Sequence, residues 1–228
     1  MGDDRFTPAV FAACSPRLRA LAKWGTGVDS LDAAAAAEHS VAITRTPGAF
    51  THPVADSSVA FVLALARGVP GLGFSAGGWP KTNGVSLCES TVGIVGLGDV
   101  GKAVAHRLLA FGATVLAVDL VAPPNAWLSA HPGVRLATSF HAMLPSVDFL
   151  VLCADLNATS ARILDADALA RMRPSACVVN AARGGLVHEQ ALIDALQSGR
   201  LAGAGYAFHS FFSFLDHILP CFSSPALL

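Results

Sequence analysis

Residues 91–119 read TVGIVGLGDVGKAVAHRLLAFGATVLAVD. The stretch decides the fold because it sets a glycine-rich turn between a strand and a helix and closes a second strand on an acid. Val92, Ile94 and Val95 are β-branched and precede the turn, as a buried strand requires. Val100, Val104, Leu108 and Phe111 then recur at spacings of four, four and three, which predicts one apolar helix face, and Gly112 stops that helix. Gly96, Gly98 and Gly101 fit the three needs of a dinucleotide-binding turn: a tight bend, close approach of backbone to a pyrophosphate, and close packing of helix on strand. A G-x-G-x-x-G triplet alone is weak in a chain with 21 glycines; its place between strand and helix gives it meaning. Thr114 to Val118 reads as the second buried strand, and Asp119 follows 18 residues beyond Gly101. There a carboxylate would accept hydrogen bonds from the adenosine ribose hydroxyls and repel a 2′-phosphate. With no Arg or Lys in Leu120 to Pro124, the reading favours NAD over NADP.

The remainder of the chain carries the same alternation. RLRALAKWG (17–25) predicts a strand entering a glycine turn, SLDAAAAAEH (30–39) a short helix, and SVAITRT (40–46) a strand ending before Pro47. Val54 to Arg67 predicts a longer helix with Val54, Ser58, Phe61, Val62 and Leu65 on a common face. The stretch 68–80, rich in glycine and proline, marks a connection between lobes. Beyond Asp119 come VDFLVLCA (147–154) as a strand, DADALARMR (165–173) as a helix closed by Pro174, ACVVNAA (176–182) as a strand, HEQALIDALQSG (188–199) as a helix and RLAGAG (200–205) as the start of a further strand. Strands separated by helices of this length imply an α/β fold with a doubly wound parallel Rossmann sheet, whose ligands gather at the carboxyl ends of the strands.

Composition narrows the function classes. With 53% apolar residues a buried core is easily built, and a net charge of −1 from 15 basic and 16 acidic residues leaves no electrostatic footprint for nucleic acid or an anionic membrane. No apolar stretch is long enough to span a bilayer; around Ala60 to Ala66 the run is bounded by Asp56 and Arg67. Five cysteines, at 14, 88, 153, 177 and 221, include no C-x-x-C pair, so neither a disulfide framework nor a metal site is indicated. The N-terminus, with Asp3 and Asp4, does not resemble a secretory signal, and a reducing, cytoplasmic setting is expected.

A second motif, VVNAARGGLVHEQAL (178–192), puts Arg183 on the loop leaving a buried strand. A lone cation there would face desolvation, and pairing with an acid is one explanation. At the carboxyl end of a strand in a nucleotide-binding sheet, a guanidinium also offers a two-point clamp for a substrate carboxylate and polarises an adjacent carbonyl.

KWGTGVDSLD (23–32), TRTPGAFTHPVADSSVAFVLALAR (44–67), GIVGLGDVG (93–101) and VVNAARGGLVHEQALIDALQSGRLAGAG (178–205) occur in an order that resembles the D-isomer-specific 2-hydroxyacid dehydrogenases, of phosphoglycerate dehydrogenase type. The resemblance covers roughly Pro16 to Gly205. It implies interconversion of 2-keto acids and D-2-hydroxy acids with NAD(H), a homodimer, and a nucleotide-binding lobe inserted into a flavodoxin-like substrate lobe. It further implies that Gly25, Thr26 and Gly27 form a loop meeting substrate, with Thr26 also reaching the nicotinamide, and that Asp99 and Val100 donate backbone N–H groups to the pyrophosphate. Ala154, Ala181 and Ala182 would line the cofactor cleft, and Arg183 would be the catalytic arginine and a cofactor contact as well. On this footing residues 1–69 are expected to be a partial substrate lobe with its linking helix, 70–83 a connection, 84–205 the NAD-binding domain and 206–228 a divergent apolar tail.

The pattern departs from the resemblance at the tail. A glutamate that tunes the family's proton-carrying histidine is implied about 29 residues after the arginine, where Phe212 stands, and Glu189 is the last glutamate in the sequence. A proline–histidine motif is implied beyond it and does not occur. Asp216 and His217 are neighbours that a helix would point apart, and His209 lies two helical turns from Asp216, so neither histidine forms a dyad with that acid. Ala207 replaces an aspartate, and His188 is expected to be a helix-start residue on the surface. The opening strands implied for the substrate lobe are also missing. The sequence-based expectation is a fragment or isoform, truncated at both ends, with impaired turnover; the alternative is a non-catalytic NAD-binding or partner-binding protein.

Overall fold

The structure is a computed structural model that describes residues 4–69 and 83–206. Contacts divide the chain between His52 and Pro53 into two compact units. The expectations for residues 70–82, and for Ala207, His209, Phe212, Asp216, His217, Cys221 and the rest of the tail, lie outside the described residues.

The first unit is a small α/β arrangement. Helix α1 spans Pro8–Cys14, strand β1 Ala20–Lys23, helix α2 Ala33–Glu38 and strand β2 Ala42–Arg45. The strands pair in parallel with Ala20 opposite Ala42 and Lys23 opposite Arg45. Asp32 starts α2 by accepting the Ala35 amide at 2.8 Å, which explains why the alanine run is one short helix. Phe11, Leu21, Leu31, Ala35, Ala36 and Val41 form the core. Helix α1 was not legible beforehand: seven residues led by Pro8 give too few turns for a period to show.

The second unit begins within helix α3, Thr51–Ala66. This is the helix expected to link the lobes, and its Ala55, Val59, Val62 and Ala66 are buried in one cluster with Val92, Ile94 and Val151 of the large sheet. Spacings of four, three and four put these side chains on one stripe. The expected face was displaced by part of a turn: Val54, Phe61 and Leu65 are only half-buried, while Ser58 is fully enclosed because its hydroxyl donates to the Val54 carbonyl at 2.8 Å.

Six parallel strands follow: β3 Thr91–Val95, β4 Thr114–Val118, β5 Val134–Leu136, β6 Phe149–Leu152, β7 Cys177–Asn180 and β8 Gly203–Tyr206. Their order is β5-β4-β3-β6-β7-β8, all neighbours parallel. The chain thus winds outward from β3 to one edge, returns, and winds to the other. The winding reverses beside β3, where a crevice opens at the carboxyl ends of the strands. Leu150, Val151, Leu152, Val178 and Val179 have no exposed surface, as a sheet covered on both faces demands.

Connecting helices are α4 Asp99–Ala110, α5 Asn125–Ala130, α6 Phe140–Met143, α7 Ala166–Arg171 and α8 Glu189–Gln197. Helix α4 buries Gly101, Val104, Ala105 and Leu108; Phe111, expected on that face, is the C-cap and stands exposed. Gly112 then adopts a φ of 77°, which ends the helix. His188 does start α8, its ring nitrogen accepting the Ala191 amide at 3.3 Å. Elements α5, β5 and α6 between Asn125 and Met143 went unassigned in the sequence, since β5 is a three-residue edge strand with only Val134 buried. Among the described residues no helix is long and apolar enough to cross a membrane, and no group of three or more metal-ligating side chains forms.

Candidate functional site

The carboxyl ends of β3, β4, β6 and β7 meet at one edge of the second unit, and the sequence-predicted residues of that unit gather there. Strand β3 runs directly into the glycine turn. The Gly96 amide donates to the Val118 carbonyl at 2.9 Å and the Cys153 amide to the Val95 carbonyl at 2.7 Å, so the turn is tied to the strand ends on both sides.

Each glycine of the turn has its own reason. Gly96 has a φ of 91°, and a Cβ there would lie 2.7 Å from both N and Cα of Ala154. Ala154 therefore sits against the turn. A Cβ on Gly101 would penetrate the Gly96 carbonyl oxygen and lie 3.4 Å from Ile94 Cγ2, so helix α4 rests directly on the turn. A Cβ on Gly98 would meet nothing within 4 Å. That open side is where a ligand can approach the backbone.

Gly98 is also the N-cap of the twelve-residue helix α4, and no side chain caps it. The first-turn amides of a helix lack intrahelical partners and sit at the positive end of its dipole. Asp99, Val100 and Gly101 present such amides beside the open face of Gly98. The uncapped amides and the open face of Gly98 fit a pyrophosphate.

Asp119 follows β4 and turns back over the glycine turn. Its Oδ2 accepts the Leu97 amide in a short hydrogen bond and its Oδ1 accepts the Val121 amide at 3.0 Å. The carboxylate is thus fixed at the mouth of the crevice. Each oxygen keeps a further acceptor site for a hydroxyl.

Ala181, Ala182 and Arg183 leave β7 next to the end of β6. Arg183 Nη1 donates to the Ala182 carbonyl at 2.8 Å, and its side chain is half-buried. The loop is fastened by Asn180, which the sequence reading passed over. Asn180 is fully buried, its Nδ2 donates to the Arg183 carbonyl at 2.9 Å, and its Oδ1 accepts the Ala182 amide at 3.1 Å. Leaving such an amide unpaired would cost about 1–3 kcal/mol. The available signal was an amide closing the apolar run ACVVN.

Gly25, Thr26 and Gly27 lie in the first unit, on the loop after β1. The Gly25 amide donates to Thr46 Oγ1 at 2.8 Å, the Thr46 amide returns a bond to the Gly25 carbonyl at 3.1 Å, and Arg45 Nη1 reaches the Thr26 carbonyl at 3.5 Å. The loop is held against the residues that end β2.

Cys153, just after β6, is poorly activated as a nucleophile at neutral pH. Desolvation pushes its thiol from an ordinary 9.0 up to about 12, and burial pushes Cys177 up to about 11. Below pH 9 these shifts cost nothing; as pH rises from 9 toward 11–12 the unfolded thiols ionise first, and stability falls. At pH 7.5 a maleimide is expected to label the exposed Cys88 of the folded protein first, the half-buried Cys153 much more slowly because its thiol stays protonated, and the buried Cys177 only after unfolding, which peptide mass spectrometry reads directly. Rapid labelling of Cys153 would contradict the shift.

A glycine turn, an acid on the next strand and a reversal of winding beside them define a dinucleotide-binding Rossmann unit. Residues 59–209 match the D-isomer specific 2-hydroxyacid dehydrogenase, NAD binding domain, family. The chain belongs to that family. It is 38% identical over 198 residues to a D-3-phosphoglycerate dehydrogenase of Mycobacterium leprae, a match covering 85% of this chain and 37% of the relative. The chain thus spans little more than a third of that relative's length. A glyoxylate reductase structure from Paecilomyes thermophila superposes with a TM-score of 0.80 at 31% identity, covering 89% of this chain and 62% of that one. A D-lactate dehydrogenase of Aquifex aeolicus shares the fold at a TM-score of 0.86 and 21% identity, covering 98% and 72%.

Proposed function

We propose that the chain binds NAD and serves the interconversion of a D-2-hydroxy acid and its 2-keto acid. The observation carrying this reading is that an open glycine cradle and an arginine loop leave strands of one sheet, β3 and β7, separated by β6 alone. The amides of Asp99 and Val100, with the open face of Gly98, hold the pyrophosphate. Asp119 accepts the adenosine ribose hydroxyls while still bracing the turn. Ala154, Ala181 and Ala182 line the cleft with small side chains that leave room for the nicotinamide. Arg183 clamps the substrate carboxylate through paired N–H donors and draws charge from the adjacent carbonyl, while Gly25, Thr26 and Gly27 keep the role the resemblance implies for them, toward substrate and, for Thr26, nicotinamide. When bound, the nicotinamide supplies or accepts the hydride at the substrate's C2. The four domain segments anticipated in the sequence are retained as functional divisions, with α3 packing on the NAD-binding sheet.

Reduction of a carbonyl also needs a proton. Phe212 stands where the resemblance implies the glutamate, so turnover is expected about 10²–10⁴ times slower than with that group present. The same residue favours a second reading, NAD binding without catalysis. A homodimer is the assembly the resemblance implies. The four described cysteines are all free, which supports a reducing, cytoplasmic setting.

Titrating the protein with NADH by fluorescence, then adding a panel of 2-keto acids and following absorbance at the NADH band, tests both readings. Binding followed by slow, keto-acid-dependent oxidation supports the first. Binding with no oxidation supports the second, and no binding by folded protein defeats both.

A further inference from the structure

Asn180 ends β7, a strand whose four residues are all enclosed, and it has no exposed surface. A carboxamide in such a place is tolerated only when its donors and acceptor are met. They are met in a particular way. One N–H and the carbonyl oxygen go to Arg183 and Ala182 of the following loop, at 2.9 and 3.1 Å, and the hydroxyl of Tyr206 bonds to the same side chain. Tyr206 is the register partner of Asn180 on β8, so two neighbouring strand ends converge on one amide. The Leu186 amide also donates to the Arg183 carbonyl, at 3.2 Å.

We infer that Asn180 and Tyr206 are positioning residues: a buried pair that fixes the direction in which the loop presents the Arg183 guanidinium and thereby sets its grip on a substrate carboxylate. The inference rests on the assignment of Arg183 made above and goes beyond it, because neither partner touches the substrate. A two-point guanidinium–carboxylate clamp needs both N–H groups aligned together, and misplacing a positioned group by about 1 Å can cost about 100-fold. The pair must be an amide and a hydroxyl. Asn180 has to donate to the Arg183 carbonyl and accept from the Ala182 amide, which a carboxylate cannot do; these two backbone partners fix the amide's orientation, and the Tyr206 phenol braces it. Burial keeps that phenol protonated, its pKa raised, so it remains a neutral hydrogen-bonding group throughout the physiological range.

The test uses the full chain. Parent, Asn180→Asp and Tyr206→Phe are titrated with NADH by fluorescence, and the NADH-loaded proteins are then titrated with oxamate, a carboxylate analogue of a 2-keto acid. The expected result is an oxamate Kd raised about tenfold or more in Asn180→Asp and about threefold in Tyr206→Phe, with NADH affinity within about threefold of parent in both. The double variant should be no weaker than Asn180→Asp, since both act on one loop. Tyr206→Phe removes one hydroxyl and keeps the ring, so its folding serves as the control should Asn180→Asp be unstable. Oxamate affinity unchanged in Tyr206→Phe, or NADH and oxamate affinities falling in parallel, overturns the inference. A parent that binds NADH and no oxamate overturns the assignment of Arg183 itself, and this inference with it.

Discussion

Gly101→Ala is expected to destabilise the second unit by about 3 kcal/mol and to abolish dinucleotide binding. The added methyl would overlap the Gly96 carbonyl oxygen and press on Ile94, both parts of the strand and turn on which helix α4 rests. Neither can yield cheaply, because Ile94 is fully buried and Gly96 is wedged against Ala154. Alanine's better helix propensity returns about 1 kcal/mol at most. The relief is a retreat of α4 from the sheet, which also carries the amides of Asp99 and Val100 away from the crevice. Thermal unfolding should show a Tm lower by roughly 5–10 °C, and NADH titration should show no saturable change.

Gly98→Ala, three residues earlier, should do the opposite. Gly98 has a φ of −73°, which alanine adopts without strain, and its methyl would project into open space. Loss of glycine at an N-cap costs well under about 1 kcal/mol, so Tm should barely move. In the proposed binding mode that open space is the approach of the pyrophosphate. Losing one or two charge-assisted hydrogen bonds there weakens NADH by about 10- to 1000-fold. Parent-like affinity in Gly98→Ala would place the cofactor elsewhere.

The contrast between these glycines explains what could be read from the sequence. Strand β3, the turn, α4 and β4 were legible because buried strands and a stop at Gly112 leave a periodic trace, and β4 runs from Thr114 to Val118 as the pattern indicated. Helix α3 was found, but its buried face was rotated, because alanines at 55 and 66 carry the packing and weigh little in a pattern dominated by phenylalanine and leucine. Phe111 was misplaced for a related reason: its apolar character fits the stripe, while its position at the C-cap turns it outward. In the site, Asp119 was visible as an acid at the right interval, but its bonds to Leu97 and Val121 depend on how β4 ends beside β3. Asn180 was passed over for a different cause: the amide closing the run ACVVN marks a strand end, not a partner. Nothing in its neighbours' polarity says that its amide must serve a loop two residues further on.

Arg183→Ala is expected to lower affinity for a 2-keto acid or for oxamate by about 10²–10⁴ while leaving NADH binding within a few-fold of parent. A carboxylate held through two charge-assisted N–H groups loses about 1.5–3 kcal/mol for each, and every 1.4 kcal/mol is a factor of ten. Arg183→Lys separates charge from geometry. Lysine keeps the cation but offers a compact ammonium in place of a planar fork, so one of the two bonds is lost and affinity falls by about 10- to 100-fold. The side chain is half-buried and one of its N–H groups donates to the Ala182 carbonyl, so a part of the fork is oriented before any ligand arrives. A longer and more mobile ammonium stem gives up that preparation as well. If charge alone mattered, lysine would restore parent affinity and salt would weaken parent and variant alike; if the fork matters, lysine stays weak at every ionic strength. Oxamate titration of the NADH-loaded protein at two salt concentrations decides between them, and equal affinity in parent, lysine and alanine forms would remove Arg183 from the substrate site altogether.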